Sequence, residues 1–395
     1  VIGRGRGFVR DAAWLTAERA RAWGVLVALM IAIQAASLYW RLLASALADS
    51  QGRPEPIDFD AFWSGAHLAV HGHGALAYDL AAIRAEETLG AQPARGFLPY
   101  LYPPIFLMLC LPLGVLPYGA AMLAFMAAGY AAMVGLLRHI LPRPWPVLSI
   151  LAFPALMMNT SMGQSGSMAA ACFALALIWL DRFPLLGGAS LGLLAFKPHM
   201  ALCVPVALLA ARRWRALLAC GATALGLAAL SWLVLGNAVW AAFFRALPMI
   251  GRMLEVPDTW PKSLSIHTTV LMLGGGFPLA YAAQIATGLM VAGCVAWVGW
   301  RRPGAGPEIS VLVCAAFLAA PHILDYDMVC LGVPMAWLAG QAMVKGWRAY
   351  EKIVLALAYI FPLEARNLNE QAGLPLTPFM VAMLFLVVLT RAAKD

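Results

Sequence analysis

Carboxylates and aromatics alternate in the segment Asp58-Phe59-Asp60-Ala61-Phe62-Trp63-Ser64-Gly65-Ala66-His67, which continues through Gly72 and Gly74 to Tyr78-Asp79 between two apolar blocks. A carboxylate held at the edge of a bilayer is costly unless it is used. Further along, Gln164 stands between Gly163 and Gly166, Lys197 follows an apolar run and precedes Pro198-His199, and His322 precedes Asp325-Tyr326-Asp327. Carboxylate, imidazole, ammonium and amide are the groups from which an active site is assembled. A cation beside helix ends with free backbone N–H groups suits an anionic ligand, and next to a membrane a lipid-linked phosphate is the natural candidate.

Each of these residues also has a plainer reading. Asp58 is well placed as the N-cap of a helix starting near Phe59 or Asp60, and Asp60 is either an accessory acid or that cap. Lys197 could simply snorkel from a helix end, and His199 shares that choice. Gln164 could make a buried interhelical hydrogen bond. Tyr102 could be an interfacial aromatic anchor. His322, just past Pro321, could cap carbonyls. The spacing His-x2-Asp-x-Asp is unspecific for a metal, so Asp325 and Asp327 are taken as accessory acids and no metal is expected.

The elements that must position these groups are membrane helices. The chain has 395 residues, 63% of them hydrophobic and 12% charged, with a mean hydropathy of +0.80. Soluble domains carry about twice that share of charge. Long apolar runs recur from end to end and period-2 alternation is absent, so the expected fold is all-α, a polytopic transmembrane bundle rather than a β-barrel. The net charge of +8 reflects basic residues in short loops, which is membrane topology and not nucleic-acid binding. All seven cysteines lie in apolar runs without a CxxC pair, so neither a disulfide nor a cysteine-ligated metal is expected.

Arg4, Arg6, Arg10, Arg19 and Arg21 precede the first span, 22–46, and place its start in the cytoplasm. Residues 47–103 then form a long first extracytoplasmic loop, with an amphipathic surface helix over 60–72. Residues 104–116 are too short to cross and read as a partly inserted arm. Residues 119–140 return to Arg138 and Arg143. Basic loops then alternate with polar outer ends through 146–160, 166–181, 184–196, 200–211, 216–235, 278–300, 308–321, 328–343, 353–363 and 374–391, with a second outer loop at 236–265. The total is about twelve crossings within a single membrane domain. In this topology Asp58, Asp60, Tyr102, Gln164, Lys197, His199, His322, Asp325 and Asp327 all fall on the outer side.

In order along the chain come Asp58-Phe59-x-x-Phe62-Trp63 with Gly72 and Tyr78-Asp79, Tyr102-Pro103-Pro104, Gly163-Gln164, Lys197-Pro198 and Arg212-Arg213-Trp214-Arg215. Over residues 20–345 this succession resembles the polyprenyl-phosphate-mannose-dependent mannosyltransferases, integral membrane glycosyltransferases of the GT-C fold. The resemblance implies an inverting transfer of a sugar from a polyprenyl phosphate to a lipid or glycan acceptor, on the outer face of the bacterial cytoplasmic membrane. It also implies that Asp58 acts as the catalytic base. Lys197, His322, Gln164, Tyr102 and His199 then become candidate contacts for the donor or its phosphate, with Asp60, Asp325 and Asp327 as accessory acids. No cofactor is needed, because the lipid-linked sugar is a substrate and phosphate leaves readily beside a cation. The absence of a P-loop or dinucleotide motif agrees with that. Three other readings share parts of the pattern: a transporter or lipid flippase, a non-catalytic assembly subunit, and a lipid-linked oligosaccharide polymerase or ligase. A transporter often has two similar halves, and the acidic segment here occurs once.

Overall fold

A computed structural model describes residues 7–93, 99–142 and 146–394. Arg4, Arg6 and Arg143, used above for topology, lie outside the described residues, as does part of the first outer loop. Among the described residues all regular structure is helical, apart from one isolated bridge between Ser263 and Leu324.

Among the described residues six helices are long and apolar enough to cross a membrane: Ala17–Ala48 (α1), Tyr118–Ile140 (α5), Trp214–Leu235 (α11), Phe277–Arg301 (α14), Asp325–Lys345 and Thr377–Lys394 (α19). The fifth begins as a 3-10 turn over Asp325–Leu331 and continues as the α-helix Gly332–Lys345 (α16). Many other apolar runs behind the count of about twelve form shorter helices, at Pro104–Gly114 (α4), Gly166–Trp179 (α8), Pro184–Phe196, Pro198–Ala210 and Ala305–Ala319 (α15). The run 146–160 is itself broken into Val147–Leu151 (α6) and Pro154–Ser161 (α7), where Pro154 starts a new helix. Proline at a first helical position starts a helix without losing a hydrogen bond.

The core is arranged as membrane burial demands. Helix α15 is covered on all sides, with Ile309, Val311, Leu312, Val313 and Phe317 all buried. A helix that is apolar all round belongs inside. By contrast α11 buries only Ala216 and Ser231, and α1 only Val27 and Ile31. Their exposed leucines and tryptophans make the lipid-facing rim. Helix α11 nevertheless meets Pro184–Gly192 (α9) closely. A Cβ on Gly188 would lie 2.1 Å from the Ala216 carbonyl oxygen, and one on Gly192 would lie 2.4 Å from that of Cys220. Glycines four residues apart let two backbones touch in lipid, where packing drives helix association.

The interval 47–103, expected as an outer loop, differs from expectation. A helix does form, Phe59–Val70 (α2), but it does not lie on the surface. Phe59, Phe62, Trp63 and Ala66 are buried, and the bare Cα of Gly114 in α4 lets that helix touch the Ala66 backbone. The amphipathic spacing was real, but the aromatic face at Phe59, Phe62 and Trp63 found protein partners instead of lipid. Leu80–Gly90 (α3) follows, capped by the Asp79 carboxylate, which accepts from Ala81 and Ala82 N–H at 3.1 and 2.9 Å. The interval 236–265 contains the helix Asn237–Leu254 (α12), whose Phe243 packs on Tyr78 with centroids 5.5 Å apart. The remaining helices are Val204–Ala210 (α10), Ile266–Met272 (α13), Glu351–Ile360 (α17) and Ala365–Ala372 (α18).

Candidate active site

Asp58 occupies the N-cap position of α2, yet its side chain makes no cap hydrogen bond. It turns outward instead, and its Oδ2 accepts from Gln164 Nε2 at 2.8 Å. The turn between α7 and α8 makes this possible. Gly163 sits there at φ +65°, and a Cβ on it would lie 2.5 Å from the Cβ of Phe59. Only glycine fits both the left-handed backbone and that contact. The start of α2 therefore lies directly against the residue preceding Gln164.

From Asp58 a chain of hydrogen bonds runs inward. Gln164 Oε1 accepts from the Tyr102 hydroxyl at 3.2 Å. That hydroxyl is 2.8 Å from Ser165 Oγ, and Ser165 Oγ accepts from Lys197 Nζ at 3.5 Å. Lys197 Nζ also donates to Asp327 Oδ1 at 2.5 Å. One proton arrangement satisfies the whole set, with the donors of Lys197, Ser165, Tyr102 and Gln164 along the chain all directed toward the Asp58 carboxylate. In such a series each bond polarises the next.

The aromatics of the acidic segment hold Tyr102 in place. The Tyr78 hydroxyl donates to the Tyr102 carbonyl at 2.9 Å. Phe62 meets the Tyr102 ring edge-on at 5.2 Å, and Phe106 packs on it at 4.5 Å. Burial raises the Tyr102 phenol above its ordinary pKa, although Lys197 opposes this. The phenol thus stays a hydrogen-bond donor. Asn159 ties the same region to the Asp325 turn, donating to the Tyr326 carbonyl at 3.3 Å while its Oδ1 accepts from Ser167 Oγ at 2.7 Å.

Access separates the acids. Asp58 is half-buried, whereas Asp60 is fully buried. Asp60 Oδ1 accepts from Ser64 at 3.4 Å, so it is not the helix cap either. Burial, reinforced by Glu87, pushes the Asp60 carboxyl up to about 8, and burial pushes Glu87 up to about 7. An acid that is protonated near neutrality and sealed from solvent cannot take a proton from an acceptor. Asp325 is fully buried and paired with Arg366, whose Nη2 lies 2.7 Å from Oδ2. Asp327 is committed to Lys197.

The histidines form a neighbouring group outside that chain. The rings of His322 and His267 are 6.0 Å apart, and His199 lies within electrostatic reach of both Lys197 and His322. Burial and His267 lower the His322 pKa, against a smaller opposing effect of Glu255. A neutral imidazole remains, able to offer one N–H. Among the described residues no group of three or more His, Cys, Asp or Glu is arranged to hold a metal ion.

An apolar groove of about 450 Å³ reaches this site between α4, α5, α7 and α8. Phe106, Phe125 and Met168 line it, and Asn159 and Gln164 stand in its wall.

The model of Glycosyltransferase family 87 matches residues 100–321. The chain belongs to glycosyltransferase family 87. No curated protein and no solved structure matches it. As a family 87 glycosyltransferase, it carries Tyr102, Gln164, Ser165, Lys197 and His199 within the matched segment. Asp58, Asp60, His322, Asp325 and Asp327 lie beyond its ends. Sequence reasoning missed Ser165, Glu87 and the pairing of Asp325 with Arg366. Ser165 had a visible signal, since it shares with Gln164 the short polar break between Gly163 and Gly166.

Proposed function

We propose that this glycosyltransferase moves a sugar, mannose by resemblance, from a polyprenyl phosphate to a hydroxyl acceptor on a lipid or glycan. The observation that carries the reading is the position of Asp58. It is an accessible carboxylate, oriented by Gln164, beside an apolar groove large enough to begin receiving a lipid tail. The acceptor oxygen attacks the anomeric carbon, its proton passes to Asp58, the bond from that carbon to the phosphate oxygen breaks, and polyprenyl phosphate leaves with inversion. General-base help of this kind contributes about 10²–10⁴-fold.

In this proposal Lys197, His199 and His322 serve the leaving phosphate, and Asp327 fixes the ammonium in place. Tyr102 and Gln164 carry the polarisation between the two ends. The site faces the outer side of a bacterial cytoplasmic membrane, within a GT-C arrangement in which some of the shorter apolar helices complete the crossings. A polyprenyl phosphate sugar, an acceptor and the bilayer are its partners, with no resident cofactor.

The decisive experiment follows radiolabelled polyprenyl phosphate mannose, with purified protein and a membrane lipid extract, comparing wild type with Asp58→Asn. Transfer by wild type alone supports both donor and base. Equal transfer by the two removes Asp58 from the chemistry. Transfer by neither overturns the pairing of mannose on this carrier with a lipid acceptor from that extract.

A further inference from the structure

We infer that an anionic phospholipid of the bilayer binds between α1 and the rest of the bundle, with its headgroup at Arg21 and Lys352. This goes beyond the transfer reaction and does not depend on it.

Helix α1 stands apart from the bundle. It packs on α6 and α7 and buries only Val27 and Ile31. Between it and α5, α16 and α17 lies a cavity of about 820 Å³, near the upper end of the roughly 300–1,000 Å³ typical of ligand pockets. Its walls are continuous apolar stripes. Helix α16 contributes Gly332, Met335, Ala336, Ala339 and Met343, and α17 contributes Leu355, Ala356, Tyr359 and Ile360. From Gly332 to Met343 the stripe runs about 16 Å at 1.5 Å per residue, close to one leaflet of a hydrocarbon core about 30 Å thick.

The charged groups are gathered at one end. Arg21 and Lys352 lie near the N-terminal ends of α1 and α17, and Trp23 and Trp347 line the cavity with them. Among the described residues neither cation has a hydrogen bond or ion pair. The carboxylate next to Lys352 is already taken, since Glu351 binds Arg391 at 2.5 Å. Helix α16 starts just after Asp327 and ends at Lys345, so its Gly332 end is the one nearer the Asp58 chain and the cations lie at the far end. The cavity is thus long and apolar, with two free cations and two interfacial tryptophans at a single end. That is the complement of an anionic amphiphile. An arginine fork and a lysine point charge both suit a phosphodiester, and basic pockets between membrane helices hold anionic headgroups.

The test titrates delipidated protein with phosphatidylglycerol and with phosphatidylcholine of the same acyl chains, read by native mass spectrometry. Wild type should retain phosphatidylglycerol preferentially. The double variant Arg21→Ala/Lys352→Ala should lose about thirty-fold in affinity for it while binding phosphatidylcholine as before. Ala356→Trp, which fills the groove, should weaken both lipids, and Arg21→Lys/Lys352→Arg should restore the preference. Equal retention of the two lipids by wild type, or an unchanged preference in the double alanine variant, would overturn the assignment. So would undiminished binding by Ala356→Trp.

Discussion

Gln164 and Asp58, 106 residues apart in sequence, meet at 2.8 Å, the amide donating and the carboxylate accepting. The amide's other end is held by Tyr102, so its orientation is fixed and the carboxylate is aimed. Asp58→Asn should lower sugar transfer by about 10²–10⁴-fold and leave the melting temperature unchanged, because the carboxylate caps no helix. Gln164→Leu, which keeps the base but releases it, should lose less. Transfer rates beside thermal melts of both variants check this, and a melting temperature that falls with activity in Asp58→Asn would favour the structural role.

Gly163→Ala tests how the base is delivered. The added methyl needs a left-handed backbone and meets Phe59 Cβ. The turn should back away from α2 and take Gln164 with it. Transfer should fall at least as far as in Gln164→Leu, and stability should drop by about 1–3 kcal/mol. Full activity in Gly163→Ala would mean that the contact between Asp58 and Gln164 is dispensable.

Lys197 and Asp327 form a buried ion pair, with each side chain almost wholly covered. Removing one partner strands the other charge. Lys197→Met or Asp327→Leu alone should destabilise by about 3–5 kcal/mol, and the double variant by much less. A double-mutant cycle in thermal melts measures the coupling. Strictly additive losses would show that the pair contributes nothing jointly. If Lys197 also serves the leaving phosphate, the double variant should fold and remain inactive.

Asp60 and Glu87 predict a pH dependence of stability. The carboxyl of Asp60 is raised to about 8 and that of Glu87 to about 7 in the folded protein, from ordinary values of 3.8 and 4.5. The folded state therefore holds protons that the unfolded state has released. Their stabilising contribution is complete below about pH 4 and is lost as pH rises through 7 and 8. Wild type should melt at a lower temperature at pH 8.5 than at pH 5.5, and Asp60→Asn should flatten that slope. An identical slope in the variant would place the titration elsewhere.

Much of this architecture can be read from the sequence because apolar runs end at prolines, glycines and basic residues. The expected spans 119–140 and 278–300 lie within a residue of α5 and α14 at each end. The polar residues that the fold joins by hydrogen bonds also stand out, since a glutamine or lysine inside such runs needs a reason. What remains hidden is pairing. Sequence can say that Lys197 and Asp325 sit among apolar residues, but only packing decides that the first meets Asp327 and the second Arg366. For the same reason a periodic segment such as 60–72 looks alike whether lipid or α4 covers it. Asp58 and Asp60 likewise differ by one turn-direction of the backbone, which leaves one accessible and the other sealed.

The separation of 130 residues between Lys197 and Asp327 has a consequence for biogenesis. The lysine emerges from the ribosome long before its carboxylate exists. Throughout that interval the growing chain carries an uncompensated ammonium, and it is neutralised only when the Asp325–Leu331 turn comes to rest against α8. Truncations ending ahead of residue 327 therefore differ from the finished protein in charge as well as length, and should be preferred clients of the membrane quality-control proteases.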